Sequence, residues 1–268
     1  MSRYIAALPM YDWPEVRAET DAGWAHLRDA FRAAGIDAPE CLARRNADMP
    51  PVPGGIRDAA GNVIAPDPAA LPPDEFDLPT LWRHPDLLLA QTCWGPMELG
   101  LSSHVRVVGQ PDYSGFAGGQ GMFYSSILLM RPEPSHRDGG VVPVDDTPSL
   151  PLDLIRDKRL AYNSDDSMSG IIALTRDLEA AGESLSVFSE RIETGGHRLS
   201  IVALAEGRAD VCAVDCRSWA LAQRFEPAAR GLRPVGRTGL RKGLPFIAAR
   251  NAPASVAQCV KDVLANMA

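Results

Sequence analysis

Three junctions in the second half of the chain carry residue types that hold anions. The first is SDDSMSG, Ser164 to Gly170, lying between the apolar run RLAYN and IIALTRDLEAAG, whose apolar residues recur at helical spacing. The second is ETGGH, where His197 follows two glycines and opens HRLSIVALAEG. The third is ADVCAVD, an apolar run that stops at Asp215. First-turn amides of a helix lack internal partners and carry partial positive charge, so a helix start flanked by hydroxyls suits an anion. Ser167 and Ser169 offer donors there, and Gly170 lets a ligand approach the backbone. The alternative is an ordinary N-cap, with Asp166 or Ser167 satisfying those amides. His197 either donates to an anionic oxygen or is a surface side chain at a helix start. Asp215 either receives an ammonium group or caps the loop that follows it.

For these junctions to act together, strands must bring them to one edge. Beyond Pro148 the pattern alternates: strand RLAYN, helix IIALTRDLEAAG, strand SLSVFSERI, helix HRLSIVALAEG, strand ADVCAVD, helix SWALAQRF, short runs LRPVG and LPFIAA, and closing helix ASVAQCVKDVLANMA. Strands alternating with helices of this length predict an α/β fold with mostly parallel sheets buried on both faces. In such sheets ligands bind outside the carboxyl ends of the strands, where all three junctions fall. Earlier in the chain, RYIAALPM reads as a buried strand ending at Pro9, and Thr20 to Ala34 as a helix stopped by Gly35. LLLAQTC, VRVVGQ and SSILLM read as further strands. Residues 50–79 contain eight prolines and read as a surface insertion rather than core.

Composition narrows the classes. With 268 residues, 46% of them hydrophobic, the chain has enough apolar material for two lobes of ordinary size. A formal net charge of −7 argues against a nucleic-acid partner, which needs clustered basic residues. No apolar window is long enough for membrane insertion, and MSRYIAALPMYD is interrupted too soon for the apolar core of a signal peptide. Cys41, Cys93, Cys212, Cys216 and Cys259 are an odd number without zinc-type spacing, and read as free thiols. His26, His84, His104, His136 and His197 are scattered, so neither metal nor cofactor is expected. Lys158, Lys242 and Lys261 have no Schiff-base context, and there is no GxSxG or Walker loop.

The order AYNSDDSMSG, then TGGHRLSIVALAEGRADVCAVD, resembles the substrate-binding proteins of phosphonate, phosphite and phosphate ABC transporters, within the two-lobed, transferrin-like (type 2) periplasmic binding proteins. The likeness is best over residues 150–250. It extends more weakly to RYIAALPM, LWRHPDLLLAQTC and MFYSSILLM.

The resemblance implies a non-enzymatic solute-binding protein that holds an oxyanion between two lobes for uptake. Lobe 1 would be residues 1–111 plus 232–268, carrying the 50–79 insertion, and lobe 2 residues 112–231. It assigns the ligand to Ser167, Met168, Ser169 and His197, with aromatic closure by Tyr124 beside Ser126, and by Tyr11, Trp94 and Tyr113. Asp215 matches a family carboxylate that meets an amino group, which hints at an aminoalkyl phosphonate. Met168 interrupts what is elsewhere a run of three hydroxyls, and both the insertion and WGPMEL depart from the family pattern. An ABC permease, a monomeric state and a periplasmic location follow from the resemblance. The alternatives are a cytoplasmic ligand sensor, and an enzyme on the same fold related to thiamine-precursor synthesis.

Overall fold

The structure is a computed structural model describing residues 3–132 and 148–267; His136 lies outside the described residues. It divides into two compact units, Met1–Pro111 with Leu244–Ala268, and Asp112–Gly243.

The first unit is built on a four-stranded sheet in the order Ile5–Ala7, Leu87–Gln91, Phe246–Ala249, Val105–Gly109. The first two strands pair in parallel, and Phe246–Ala249 runs antiparallel to both of its neighbours. Leu87–Gln91 is buried at every position because both faces are covered. Leu87 and Ala90 belong to one core cluster with Trp82, Met97 and Leu101, and Leu88 and Leu89 to another with Trp24, Phe31 and Val260. The second cluster draws on helices Arg17–Ala33 and Ala254–Met267.

The 50–79 segment is exposed over most of its length but is fastened to this unit. Its strands Ile56–Arg57 and Val63–Ala65 pair as a hairpin, with Ile56, Ala65 and Pro68 buried. Asn46 Nδ2 donates to Pro72 O at 2.8 Å, and Asp77 N donates back to Asn46 Oδ1 at 2.8 Å. Phe76 and Leu78 pack against the core, so the expectation of a wholly superficial insertion is corrected at its end.

In the second unit a five-stranded sheet runs Glu190–Glu193, Arg159–Tyr162, Val211–Asp215, Ser126–Met130, Arg233–Arg237. Ser126–Met130 alone is reversed, antiparallel to both neighbours, and the remaining strands share one direction. The reversed strand of the first unit is the one by which the chain returns to it, and that of the second is the first in sequence of its five-stranded sheet. Leu128, Leu160, Leu174, Leu178, Phe188 and Val211 form the core under the helical segments.

Two expectations change. SLSVFSERI is not one strand: Ser184 Oγ accepts from Ser186 N at 3.2 Å and caps a tight turn at Leu185–Val187, and only Glu190–Glu193 pairs into the sheet, as an edge strand. The return to the first unit falls at residue 244 rather than 232, because Arg233–Arg237 pairs with Ser126–Met130 and Arg241–Lys242 with Phe123–Tyr124.

Candidate functional site

The strand Arg159–Tyr162 ends at Asn163, and the chain then turns through Ser164–Ser167 into a helix. That helix starts as a wide π turn, Met168–Ile172, and continues as Ala173–Ala180. Such turns carry an extra residue and often mark functional positions. Ser167 has extended backbone and is the N-cap: its Oγ accepts from Gly170 N at 3.0 Å, and its carbonyl from the amides of Ile171 and Ile172. Gly170 also lies against a neighbouring side chain. A Cβ there would lie 1.8 Å from Asn163 Oδ1, so glycine makes room for a neighbouring side chain.

The second junction is tied to the first by main-chain bonds. Gly195 N donates to Asn163 O at 2.8 Å, and Thr194 N to Tyr162 O at 2.9 Å. Thr194 Oγ1 also donates to Tyr162 O and meets Ser200 Oγ at 2.7 Å. Gly195 has φ +83°, a left-handed turn, and Gly196 is the extended N-cap of helix His197–Ala205. The result is a contact between side chains 28 residues apart: Ser169 Oγ lies 2.9 Å from His197 Nε2.

Asp215 completes the group. Its Oδ1 accepts from the amides of Arg217 (3.0 Å) and Ser218 (2.9 Å), capping helix Cys216–Phe225, while Oδ2 faces His197 Nε2 at 3.4 Å. One oxygen of this carboxylate thus caps the helix that follows, and the other faces the imidazole. Ser126 is the register partner of Asp215 on the antiparallel neighbour, and directly opposed residues share a sheet face. Ser126 is fully buried, and its hydroxyl has no hydrogen-bond partner in the described structure; the same holds for His197 Nδ1 and Asn163 Oδ1.

Burial pushes the His197 pKa below its usual value, against the opposing pull of the Asp215 carboxylate, so the ring is neutral near pH 7. A neutral ring carries one N–H, yet Ser169 and Asp215 both face Nε2. In a hydrolytic Ser-His-carboxylate triad the hydroxyl and the carboxylate sit on opposite ring nitrogens. Here they compete for one nitrogen, leaving a buried, partner-seeking array in place of a proton relay. Among the described residues no cluster of three His, Cys, Asp or Glu side chains could hold a metal ion. Burial pushes the Cys216 thiol up to about 12 and raises Cys212 as well, so neither is a thiolate at neutral pH.

Met168 lies in the same π turn as Ser169, and each of the expected aromatic residues packs within its own unit. Tyr124 and Tyr113, both buried, stack on each other with ring centres 5.4 Å apart, and Phe116 packs on Tyr113. A Cβ on Gly243 would come within 2.1 Å of the Tyr113 ring, so this pair is tightly enclosed. Met168 is buried, with Sδ 4.0 Å from Arg176 Nη1. Tyr11 and Trp94 belong to the first unit, Tyr11 in the turn Pro9–Tyr11 and Trp94 packed against a core cluster at the start of a short helix. Sequence reasoning missed Asn163 and Thr194, whose signal is slight: a turn-forming residue at the end of each of two strands.

The family profile described as ABC transporter, phosphonate, periplasmic substrate-binding protein matches residues 114–268. No curated protein matches the chain. Among solved structures, PhnD1 of Prochlorococcus marinus, in complex with methylphosphonate, is similar with a TM-score of 0.63 at 14% identity, over 97% of this chain and 83% of that one. A binding protein component of an ABC phosphonate transporter from Pseudomonas aeruginosa gives 0.60 at 14% identity over 98% and 74%. The Xanthomonas citri protein XAC2383, bound to chloride ion, gives 0.58 at 15% over 98% and 83%. The fold is the two-lobed, type 2 periplasmic-binding-protein fold. With the profile spanning more than half of its length, the chain belongs to the phosphonate periplasmic substrate-binding proteins of ABC transporters, a family of solute-binding proteins and not of enzymes.

Proposed function

We propose that the second unit holds a small oxyanion, phosphonate-, phosphite- or phosphate-like, through Ser169, His197 and Ser126, with Ser167 shaping the turn that presents Ser169. The observation that carries this reading is the buried Ser126 hydroxyl without a partner, on the sheet face of Asp215, whose Oδ2 lies 3.4 Å from the neutral imidazole that meets Ser169. Buried polar atoms are normally satisfied, and an anion that accepts from hydroxyls and an imidazole N–H supplies what is missing. Asp215 acts through His197 in this reading, since one of its oxygens is spent on two amides. An amino group on the ligand therefore loses its support, and 2-aminoethylphosphonate should bind no more tightly than methylphosphonate. We also propose aromatic contacts to the ligand from Tyr124, Tyr113, Tyr11 and Trp94, and an apolar one from Met168. The protein delivers its ligand to an ABC permease, works as a monomer and acts in the periplasm.

Methylphosphonate, found with PhnD1 of Prochlorococcus marinus, is the first ligand to test. Titration calorimetry with methylphosphonate, phosphite, phosphate, 2-aminoethylphosphonate and methanesulfonate should give saturable binding with at least one phosphorus oxyanion. Ser169→Ala and His197→Ala should each weaken it by about 1–3 kcal/mol, the worth of a charge-assisted hydrogen bond. No heat and no thermal shift with any of the five would refute the reading, and unchanged affinity in both variants would move the site elsewhere.

A further inference from the structure

Asn163 is not among the residues that the family resemblance singled out, yet it touches both halves of the site. Its main-chain carbonyl accepts from Gly195 N and so holds the turn that presents His197. Its side-chain carbonyl lies against Gly170, where a Cβ would be 1.8 Å from Oδ1 and 3.1 Å from Ser167 Oγ. That oxygen is buried and has no hydrogen-bond partner among the described residues. An amide oxygen only accepts. A fully deprotonated oxyanion offers it nothing but lone pairs, which Ser169, Ser126 and His197 can use and Asn163 cannot. Asp215 adds a carboxylate 3.4 Å from the imidazole, and the neutral ring brings no balancing charge. Both features disfavour a dianion and favour an anion that still carries a proton.

We propose that Asn163 is a specificity residue: its Oδ1 receives the hydroxyl proton of a singly protonated phosphorus oxyanion, R–PO2(OH)−, while Ser169, Ser126 and His197 hold the other oxygens. This rests on the oxyanion reading above and narrows it to a protonated monoanion. The site thereby rejects sulfonates, which have the same shape and charge but no proton to give. A site built around a ligand hydrogen bond penalises the analogue lacking that hydrogen, because its own polar group is then left buried and unpaired.

The test uses methylphosphonate and methanesulfonate below the second ionisation of methylphosphonate, where the two are near-isosteric monoanions differing by one O–H. Calorimetry on the full chain should show methylphosphonate preferred by at least about tenfold. In Asn163→Ala the preference should collapse towards equality, with a cooperative thermal unfolding transition retained. If Asn163→Ala does not fold, Asn163→Ser, whose hydroxyl is too short to reach the same point, gives the same readout. Binding of neither ligand overturns the oxyanion reading itself. Equal binding of both by the native chain overturns only the proton requirement. A variant that weakens both ligands equally while keeping the preference shows that the acceptor is another group, and overturns the assignment to Asn163.

Discussion

At the scale of single residues, the site is governed by shortages: one imidazole proton for two neighbours, and three buried polar atoms without partners. His197 and His84 are both held below the usual imidazole pKa, chiefly by burial. Asp215 opposes the shift at His197; the Pro50 carbonyl, followed by the Asp86 and Asp67 carboxylates, opposes it at His84. The unfolded chain titrates its histidines near about 6.5 and so binds protons that the folded chain refuses below that pH. Stability should therefore be complete above about 6.5 and fall as the pH drops towards the folded values, by up to about 1.4 kcal/mol per pH unit for each ring. Melting temperatures from pH 8 to pH 5 (roughly the window over which an imidazole titrates) should show the decline, and His84→Gln with His197→Gln should flatten it.

Gly170 and Asn163 make a second residue-scale prediction. Gly170→Ala should cost about 1–3 kcal/mol through overpacking, and much of that should return in the Asn163→Ala background, as a double-mutant cycle by denaturant unfolding would measure. Ser167, His197 and Asp215 were legible in the sequence because each stands where an apolar run gives way to a helix. Asn163 was not, since its meaning lies in Gly170 and Gly195, and neither contact leaves a mark in local sequence pattern.

Among the elements, the parallel strands Arg159–Tyr162 and Val211–Asp215 are clamped at the end away from the site. Asp210 accepts from Arg159 N at 3.1 Å, from Arg159 Nε and Nη2 at 2.9 Å, and from Arg131 Nη2 at 3.1 Å. The Arg159 guanidinium, more than any other neighbour, holds the Asp210 carboxyl well below the usual carboxylate range. A depressed carboxylate stabilises above its unfolded pKa of about 3.9, and that contribution fades as the pH falls below it. Asp210→Asn should cost about 1–2 kcal/mol at neutral pH, the pair being partly solvated, and should cost progressively less in acid. Chemical denaturation at neutral and acid pH distinguishes the two regimes. Elements with continuous apolar runs, such as Val211–Asp215, were readable from the sequence. The bounds of Glu190–Glu193 were not, because an edge strand partly in water keeps polar residues, and the apolar Val187 and Phe188 just before it, read as part of the strand, turn into the core instead.

For the whole molecule, the two units differ in how the chain supplies them. Asp112–Gly243 is continuous, and every strand of its five-stranded sheet lies within it. The first unit is split, and its late strand, Phe246–Ala249, sits between Leu87–Gln91 and Val105–Gly109. A fragment of residues 112–243 should fold alone and keep the Ser169–His197 contact, whereas residues 1–111 alone should not, lacking the strand that joins two halves of a sheet. Circular dichroism and cooperative melting of the two fragments would check this. The return at residue 244 was hidden in the sequence because LRPVG and LPFIAA are alike as short apolar runs, and only pairing reveals which sheet each joins.

That inserted strand also sets an order of assembly during synthesis. Domains generally fold from the N-terminus as the chain emerges. Here the second unit is complete once Gly243 has left the ribosome, while the first, although started earlier, waits for the strand at 246–249 to arrive. The unit that carries the proposed anion-holding residues is thus finished first, and residues translated after it close the unit that was begun first.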